Sequence, residues 1–298
     1  MNLHQSPISN PQLATMEERR RLSILITPSA IFMLVLFVLP LLIMVVYTFR
    51  QGSFGPTSRI FTLAHYHDFL SDRALQGLLW RSVVQSFWIS LISVCLAYPV
   101  AYHLSFQAGE RKMTLLTIII VTAWVSFLLR ILAWKVLLGG SGAIASLAQS
   151  LGLSEEGMPF LIYSQEAVNL TLIYVWIPFV ALPIFAGLER IDPSLHEAAY
   201  DLGCSRPEAF VRVTLPLSLP GVVAGFLFVF IPTVGEYVTP SLVGGTTGVM
   251  FGNIVRDQFV RALNWPLGSL MSLAMLIVVL IPLVIAARLF KFSDLAGL

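Results

Sequence analysis

Charge is what this sequence has least of. Only 11% of its 298 residues are charged and 57% are hydrophobic, whereas an ordinary soluble domain carries about 25% charged residues. A chain of this length needs a polar skin to stay in water, so a soluble enzyme and a disordered chain are both excluded. The formal net charge of +2 falls far short of the basic footprint that a nucleic-acid partner demands. Cysteine is scarce too. Cys95 lies in an apolar run and Cys204 in a polar one, so no disulfide framework is expected and both read as small reduced thiols. The lysines are Lys112, Lys135 and Lys291, and none follows a G-x-x-x-x-G phosphate cradle. The sequence shows no nucleotide site, and no cofactor is expected on this chain. His65 and His67 have only Asp68 beside them, and His103 and His196 stand alone. With no Ser-His-Asp set, carboxylate pair or zinc-type spacing, no catalytic residue and no metal site is expected, and the chain reads as a non-enzyme.

Long uncharged intervals are what the sequence does have. No charge falls between Arg21 and Arg50, Arg81 and Glu110, Lys112 and Arg130, Glu166 and Glu189, Arg212 and Glu236, or Arg261 and Arg288. A bilayer crossing takes about 20 apolar residues at about 1.5 Å each. The intervals therefore predict six transmembrane helices at about 24–48, 83–105, 114–134, 168–188, 216–236 and 268–289. The fold class is all-α, a polytopic membrane protein. Two further charge-free stretches, 136–154 and 237–255, are rich in Gly, Ser and Thr; they read as loops with short interfacial or re-entrant helices, because glycine shields backbone poorly in lipid. Residues 250–261 place Phe251, Ile254, Val255, Gln258 and Phe259 near one helix face, as suits a helix on the membrane surface. Gly221-Val222-Val223-Ala224-Gly225 carries the small-residue spacing of close helix contact.

Orientation follows the placement of basic residues. Arg19-Arg20-Arg21 precedes the first span and Glu110-Arg111-Lys112 makes a tight turn between the second and third. Both termini are expected in the cytoplasm, with a tail at 1–21, the membrane domain at 22–292 and a second tail at 293–298. The long segment at 189–216 then also faces the cytoplasm.

That segment has strong local signals. Asp192 before Pro193 is an N-cap with proline at the first helical position. Gly203 stands where a helix ends in a left-handed residue. Ser205-Arg206-Pro207-Glu208 is a capping box opening a second helix. The prediction is a helix, a sharp turn and a second helix that ends at Pro216, where the fifth span begins. Leu195, Ala198, Ala199 and Leu202 fall on one stripe of the first helix, with Glu197 at its rim, a surface suited to close approach by another protein or by the membrane domain itself.

Glu197-Ala198-Ala199, then Gly203, then Val213-Thr214-Leu215-Pro216 resembles the EAA loop of ABC importer permeases, with Val213 where Ile is usual. The resemblance covers nearly the whole chain and implies a type I ABC importer transmembrane domain with a cytoplasmic helix-turn-helix coupling loop. It further implies that Glu197, Ala198, Ala199 and Gly203 form the contact with an ATPase subunit, with Leu215 and Pro216 ending the element. The partners it implies are a second homologous permease, two ATPase subunits carrying ATP and Mg, and a periplasmic binding protein, in the bacterial inner membrane.

Candidates for the solute pathway come from ionisable and aromatic groups at membrane depth. Arg130 and Lys135 stand at the far end of the third span, close enough to the headgroups to snorkel. Glu236 lies among Pro232, Gly235, Tyr237 and Pro240, so the fifth helix is expected to break there. An acid beside an aromatic at such a break suits a cationic amine, or else pairs with Arg130 or Arg256. Trp124 and Trp134 join Arg130, Glu236 and Tyr237 as pathway candidates; Trp88, Tyr174 and Trp176 suit a core or interface belt equally well. Leu128 to Leu138, Gly235 to Gly245, and Gly252-Asn253-Ile254 with Gln258-Phe259 and Asn264 to Gly268 are similar to spermidine/putrescine-type permeases. Ile131 and Leu132 replace a more polar pair. That subgroup also includes permeases for opines and aminophosphonates, so the resemblance implies a small cationic or amine-bearing solute. An anion importer of the same class, for ferric or oxyanion cargo, and a secondary transporter are the alternatives.

Overall fold

The computed structural model describes residues 11–152 and 162–289, with side chains over 25–152 and 162–288. The tails at 1–21 and 293–298, as drawn from the sequence, lie largely outside the described residues. Among the described residues the structure is helical, apart from one isolated bridge between Arg50 and Phe61. In chain order the helices are α1 Pro11–Thr48, α2 Ala64–Ser71, α3 Arg73–Phe106, α4 Lys112–Trp124, α5 Phe127–Leu138, α6 Ala143–Ser150, α7 Gln165–Leu188, α8 Pro193–Asp201, α9 Arg206–Ala209, α10 Leu215–Val234, α11 Phe251–Val260 and α12 Trp265–Leu289. Among the described residues six stretches are long and apolar enough to cross a membrane: Leu25–Thr48, Arg73–Phe106, Phe127–Ser150, Gln165–Leu188, Arg206–Val234 and Trp265–Arg288.

The helices begin where side chains satisfy their first amides. Asp72 Oδ1 accepts from the amides of Ala74 and Leu75 at 2.8 and 3.1 Å to start α3. The Ser164 hydroxyl accepts from Ala167 N at 3.1 Å to start α7.

The expected third span, 114–134, needs correction. The helix is broken at Val125 and Ser126, whose ψ angles of 135° and 131° are extended. α4 has 13 residues and α5 has 12, so neither alone covers the roughly 30 Å hydrocarbon layer. The apolar stretch instead runs from Phe127 through the turn at 139–142 into α6. Neither residue at the break is Gly or Pro, so the sequence offers no local signal of it.

The helix before the fifth span also differs from expectation. α9 does not stop at Pro216 but runs through a π-helical turn, Phe210–Thr214, into α10. The Leu215 amide donates to the Phe210 carbonyl in this wider turn. Proline lacks an amide proton and its ring crowds the carbonyl four residues back; the wide turn directly before Pro216 accommodates both defects, so the helix continues.

α3, α7 and α10 form the central packed group. Its core includes Ile89, Ala97, Ala101, Leu172, Val180, Ile184 and Val229, with Ile131 and Leu138 of α5 packed in. The small-residue spacing in α10 does bring backbones together. A Cβ on Gly221 would lie 2.7 Å from the Pro183 carbonyl oxygen and 3.2 Å from Gly187 Cα; only glycine permits that approach. A smaller core joins α2, α3, α11 and α12 through Phe69, Phe251, Val255, Leu270 and Met271. The apolar face of α11 is therefore covered mainly by protein, in place of the membrane-surface position expected from its spacing. α1 is the opposite case: its most apolar window is 0% buried, against 39% for α3 and α7.

Candidate functional site: a capped loop and two broken helices

The loop between α7 and α10 is built as its local sequence dictates. Asp192 accepts from Ser194 N at 2.9 Å and Pro193 opens α8. That hydrogen bond holds the Asp192 carboxyl below its ordinary carboxylate range. α8 ends in a Schellman arrangement. Cys204 N donates to Ala199 O at 3.0 Å and Gly203 N to Tyr200 O at 2.9 Å, with Gly203 at φ 86°. Ser205 donates through its amide and its hydroxyl to Glu208 Oε2, each at 2.8 Å, closing the capping box.

The helix pair is also fastened to the bundle. His196 Nε2 lies 2.9 Å from the hydroxyl of Thr214, which is buried. Phe106, near the end of α3, meets His196 edge-on at 5.2 Å, and Tyr98 and Tyr102 meet Phe210. The stripe expected on α8 divides: Ala199 is buried, whereas Leu195, Glu197, Ala198 and Leu202 are exposed, Leu202 to 86%. The free face thus holds a large apolar tip beside Glu197 and the small Ala198. Leu215 and Pro216 sit at the start of α10, past the π turn, and leave the contact face to α8.

The second group of candidates lies at two helix breaks. α10 ends at Val234, and Glu236 follows in a buried position, 9% exposed. Its Oε1 accepts from Val238 N at 2.8 Å and Thr239 N at 2.9 Å. This carboxylate caps the short helical segment that continues as a π turn, Pro240–Gly244. It lies in no ion pair with Arg130 or Arg256 among the described residues. Tyr237 has Arg256 over its ring at 5.9 Å. Asn253 Nδ2 donates to the Tyr237 carbonyl and to the Ser241 hydroxyl, both at 2.9 Å. A Cβ on Gly252 would sit 2.6 Å from the Gly235 carbonyl oxygen, so α11 braces this break at van der Waals range. Asn253 stood in the sequence only as part of a motif; its geometric role becomes visible only when α11 folds back.

The other break, at Val125–Ser126, leads into Arg130. This guanidinium does not snorkel outward. Arg130 is 7% exposed; its Nη1 donates to the Val175 carbonyl at 2.8 Å, and its Cζ lies 5.4 Å from the centre of the Phe179 ring. Its buried Nε has no acceptor. Arg130 and Trp134 line one pocket of about 410 Å³ with Val125, Leu129, Ala133, Leu137 and Tyr174. Trp134 and Tyr174 meet edge-on at 5.4 Å. Trp124 is 85% exposed at the end of α4 and is not among the pocket residues. Among the described residues no cluster of three His, Cys, Asp or Glu could hold a metal ion.

Comparison with known proteins agrees with this architecture. The chain is 32% identical over 242 residues to the spermidine/putrescine transport system permease protein PotB of Salmonella typhimurium strain SL1344, covering 80% of this chain and 84% of that protein. It is 31% identical over 260 residues to the inner membrane ABC transporter permease protein YdcU of Escherichia coli K12, covering 84% and 82%. Among solved structures, a chain of a bacterial ABC transporter involved in import of the acidic polysaccharide alginate superposes with a TM-score of 0.69. It shares 15% identity, with 95% of this chain and 100% of that chain covered. The fold is that of a type I ABC importer transmembrane domain. Six apolar helices and a capped loop before the fifth of them are joined by a family model that matches residues 13–294. The chain belongs to the family of binding-protein-dependent transport system inner membrane components.

Proposed function

We propose that this chain is one of two permease subunits lining the translocation pathway of an ATP-driven importer for a small amine-bearing solute, of the polyamine class or a close chemical relative. The observation that carries the reading is the likeness to spermidine/putrescine permeases over 80% of the chain. The exposed, rigidly capped face of α8 supports the mechanical part. Glu197, Ala198 and Leu202 lie open on a helix fixed at both ends by caps and held to α3 by aromatic contacts. Gly203 makes the sharp turn that presents this face.

In this reading the loop and both termini lie in the cytoplasm, and α8 seats in a cleft of an ATPase subunit that supplies ATP hydrolysis. A second homologous permease covers the bare α1 and closes the cavity. A periplasmic binding protein delivers the solute from the other side. When the ATPases close, the push on α8 passes through α7 and α10 and tips the cavity outward; hydrolysis resets it. Glu236, Tyr237, Arg130, Trp134 and Trp124 are the pathway candidates. Glu236 spends one carboxylate oxygen on two backbone amides, leaving the other available to an amine.

The test is Glu197→Arg in the assembled importer. Solute uptake falls to background while membrane insertion and the amount of permease stay at wild-type level, and the ATPase no longer co-purifies. Wild-type uptake by this variant would remove α8 from the coupling contact.

A further inference from the structure

In the proposed importer α8 is the element that is pushed, and where the push goes depends on how α8 is fastened. Its covalent route to the fifth span is long. It passes the Gly203 turn, the capping box and α9 before it reaches the π turn Phe210–Thr214 and α10. One side-chain hydrogen bond cuts across that route. His196 Nε2 lies 2.9 Å from the hydroxyl of Thr214, 18 residues further along the chain. Among the described residues it is the only side-chain hydrogen bond from α8 to a stretch that crosses the membrane.

Thr214 makes this bond more than a packing contact. The residue is 1% exposed, so its hydroxyl has no water to turn to, and losing its partner would leave it unsatisfied. A helical threonine ordinarily returns its hydroxyl to the carbonyl four residues back. Here that carbonyl, on Phe210, accepts the Leu215 amide across the wide turn, and among the described residues His196 is the partner of the hydroxyl. Thr214 also closes the π turn, where the loop becomes the fifth span, and π turns concentrate at functional sites.

The other fastenings of α8 are apolar. The Phe106 ring meets His196 edge-on at 5.2 Å and steadies the imidazole from α3, and Ala199 is buried. At the opposite end of the π turn Phe210 rests on Tyr98 and Tyr102, while the Tyr98 hydroxyl reaches Ser218 Oγ, one turn further along α10, at 3.0 Å. Apolar contacts let a helix slide or roll, because they are not directional. A hydrogen bond to a buried hydroxyl is directional and fixes the rotation of α8 against α10. Either neutral tautomer of the imidazole makes it, the hydroxyl donating to a bare Nε2 or accepting from Nε2–H.

We infer that His196 is a positioning residue for coupling: its bond to Thr214 carries the stroke of α8 directly into the π turn and so into the fifth span. The inference rests on the reading of α8 as the ATPase contact and adds the route by which the push leaves it.

The test uses the intact importer complex in nanodiscs. Amide hydrogen exchange is compared between the nucleotide-free complex and the complex trapped with MgATP and vanadate, so no transported solute is needed. In the wild type, trapping is expected to change exchange both across 193–201 and across 210–218. In His196→Ala and in Thr214→Val the change at 193–201 stays, whereas the change at 210–218 shrinks about fivefold. His196→Gln, whose amide reaches the same hydroxyl, restores most of it, and the double variant loses no more than either single one. Thr214→Val keeps the shape of the side chain and the Phe106 contact, so it tests the bond even where His196→Ala fails to assemble. A role in stability alone would alter exchange equally with and without nucleotide. An undiminished nucleotide-dependent change at 210–218 in Thr214→Val therefore overturns the inference and leaves α8 as the ATPase contact. If trapping changes nothing at 193–201 in the wild type, the contact itself falls, and the inference with it.

Discussion

The turn at Gly203 and the break at Val125–Ser126 both interrupt a run of helix, yet they are opposite in construction. At Gly203 the interruption is closed by hydrogen bonds on each side: two Schellman bonds behind it and a capping box ahead. At Val125–Ser126 the backbone simply turns extended, with no side-chain cap on the following helix and a buried cation one turn on. The first is an ordered joint whose geometry its own side chains fix. The second has no side-chain cap of its own, and the fifth-span break, capped by Glu236, stands between the two. The difference teaches that a helix end can be fixed by its own side chains or left to the packing around it, and only the first kind is written in local sequence.

Substitutions at three positions and one change of pH test that contrast. The largest effect is expected at the sealed joint. Gly203→Val forces a β-branched residue to φ 86° and should cost about 2 kcal/mol of local stability. It should be read as faster amide exchange across 193–209 together with loss of solute uptake. Next is Glu236→Ala, which uncaps the amides of Val238 and Thr239 at about 1.5 kcal/mol; Glu236→Gln keeps an acceptor oxygen and should lose less than half of that by thermal unfolding. Capping the break at Val125–Ser126 with Ser126→Asp should do the reverse, stabilising by about 0.5–1 kcal/mol through a new N-cap. A variant no more stable than the wild type would erase the distinction between the two kinds of helix end.

The smallest effect concerns pH. The Asp192 carboxyl is held below its ordinary value by the Ser194 amide, so its folded-state pKa is depressed. The cap therefore contributes fully above about pH 4, the unfolded value, and is lost only as pH falls through the lower folded value. Exchange at the Ser194 amide should stay slow down to about pH 4 and quicken below it.

Much of this was legible because it is written in short-range signals. Asp192-Pro193, Gly203 and Ser205 through Glu208 each set a cap through neighbours two to five residues away, so the loop could be drawn residue by residue. The ends of the charge-free intervals placed five of the six spans for the same reason. The break in the third span is not legible because Val125 and Ser126 carry no breaker chemistry; their extended backbone lies between two helices that both pack on α7. The continuation of the helix through Pro216 was hidden likewise, since it depends on a π turn that absorbs the proline. Arg130 looked free to reach outward because a sequence shows the length of a side chain and not the carbonyl of Val175 that holds it inside. Asn253 and Gly252 drew their meaning from a contact with residues 235–237 that only tertiary folding makes.

The touching backbones of Gly187 and Gly221 lie two residues before Glu189 and five after Pro216, so they pinch together the two strands of chain that enter and leave the loop. In the proposed importer, a force applied to α8 would therefore meet supports already held together at that contact. In the proposed coupling it would turn both helices together about that pinch, as about a fulcrum. Widening it by a single methyl group would let the stroke dissipate as bending, even with every cap in the loop intact.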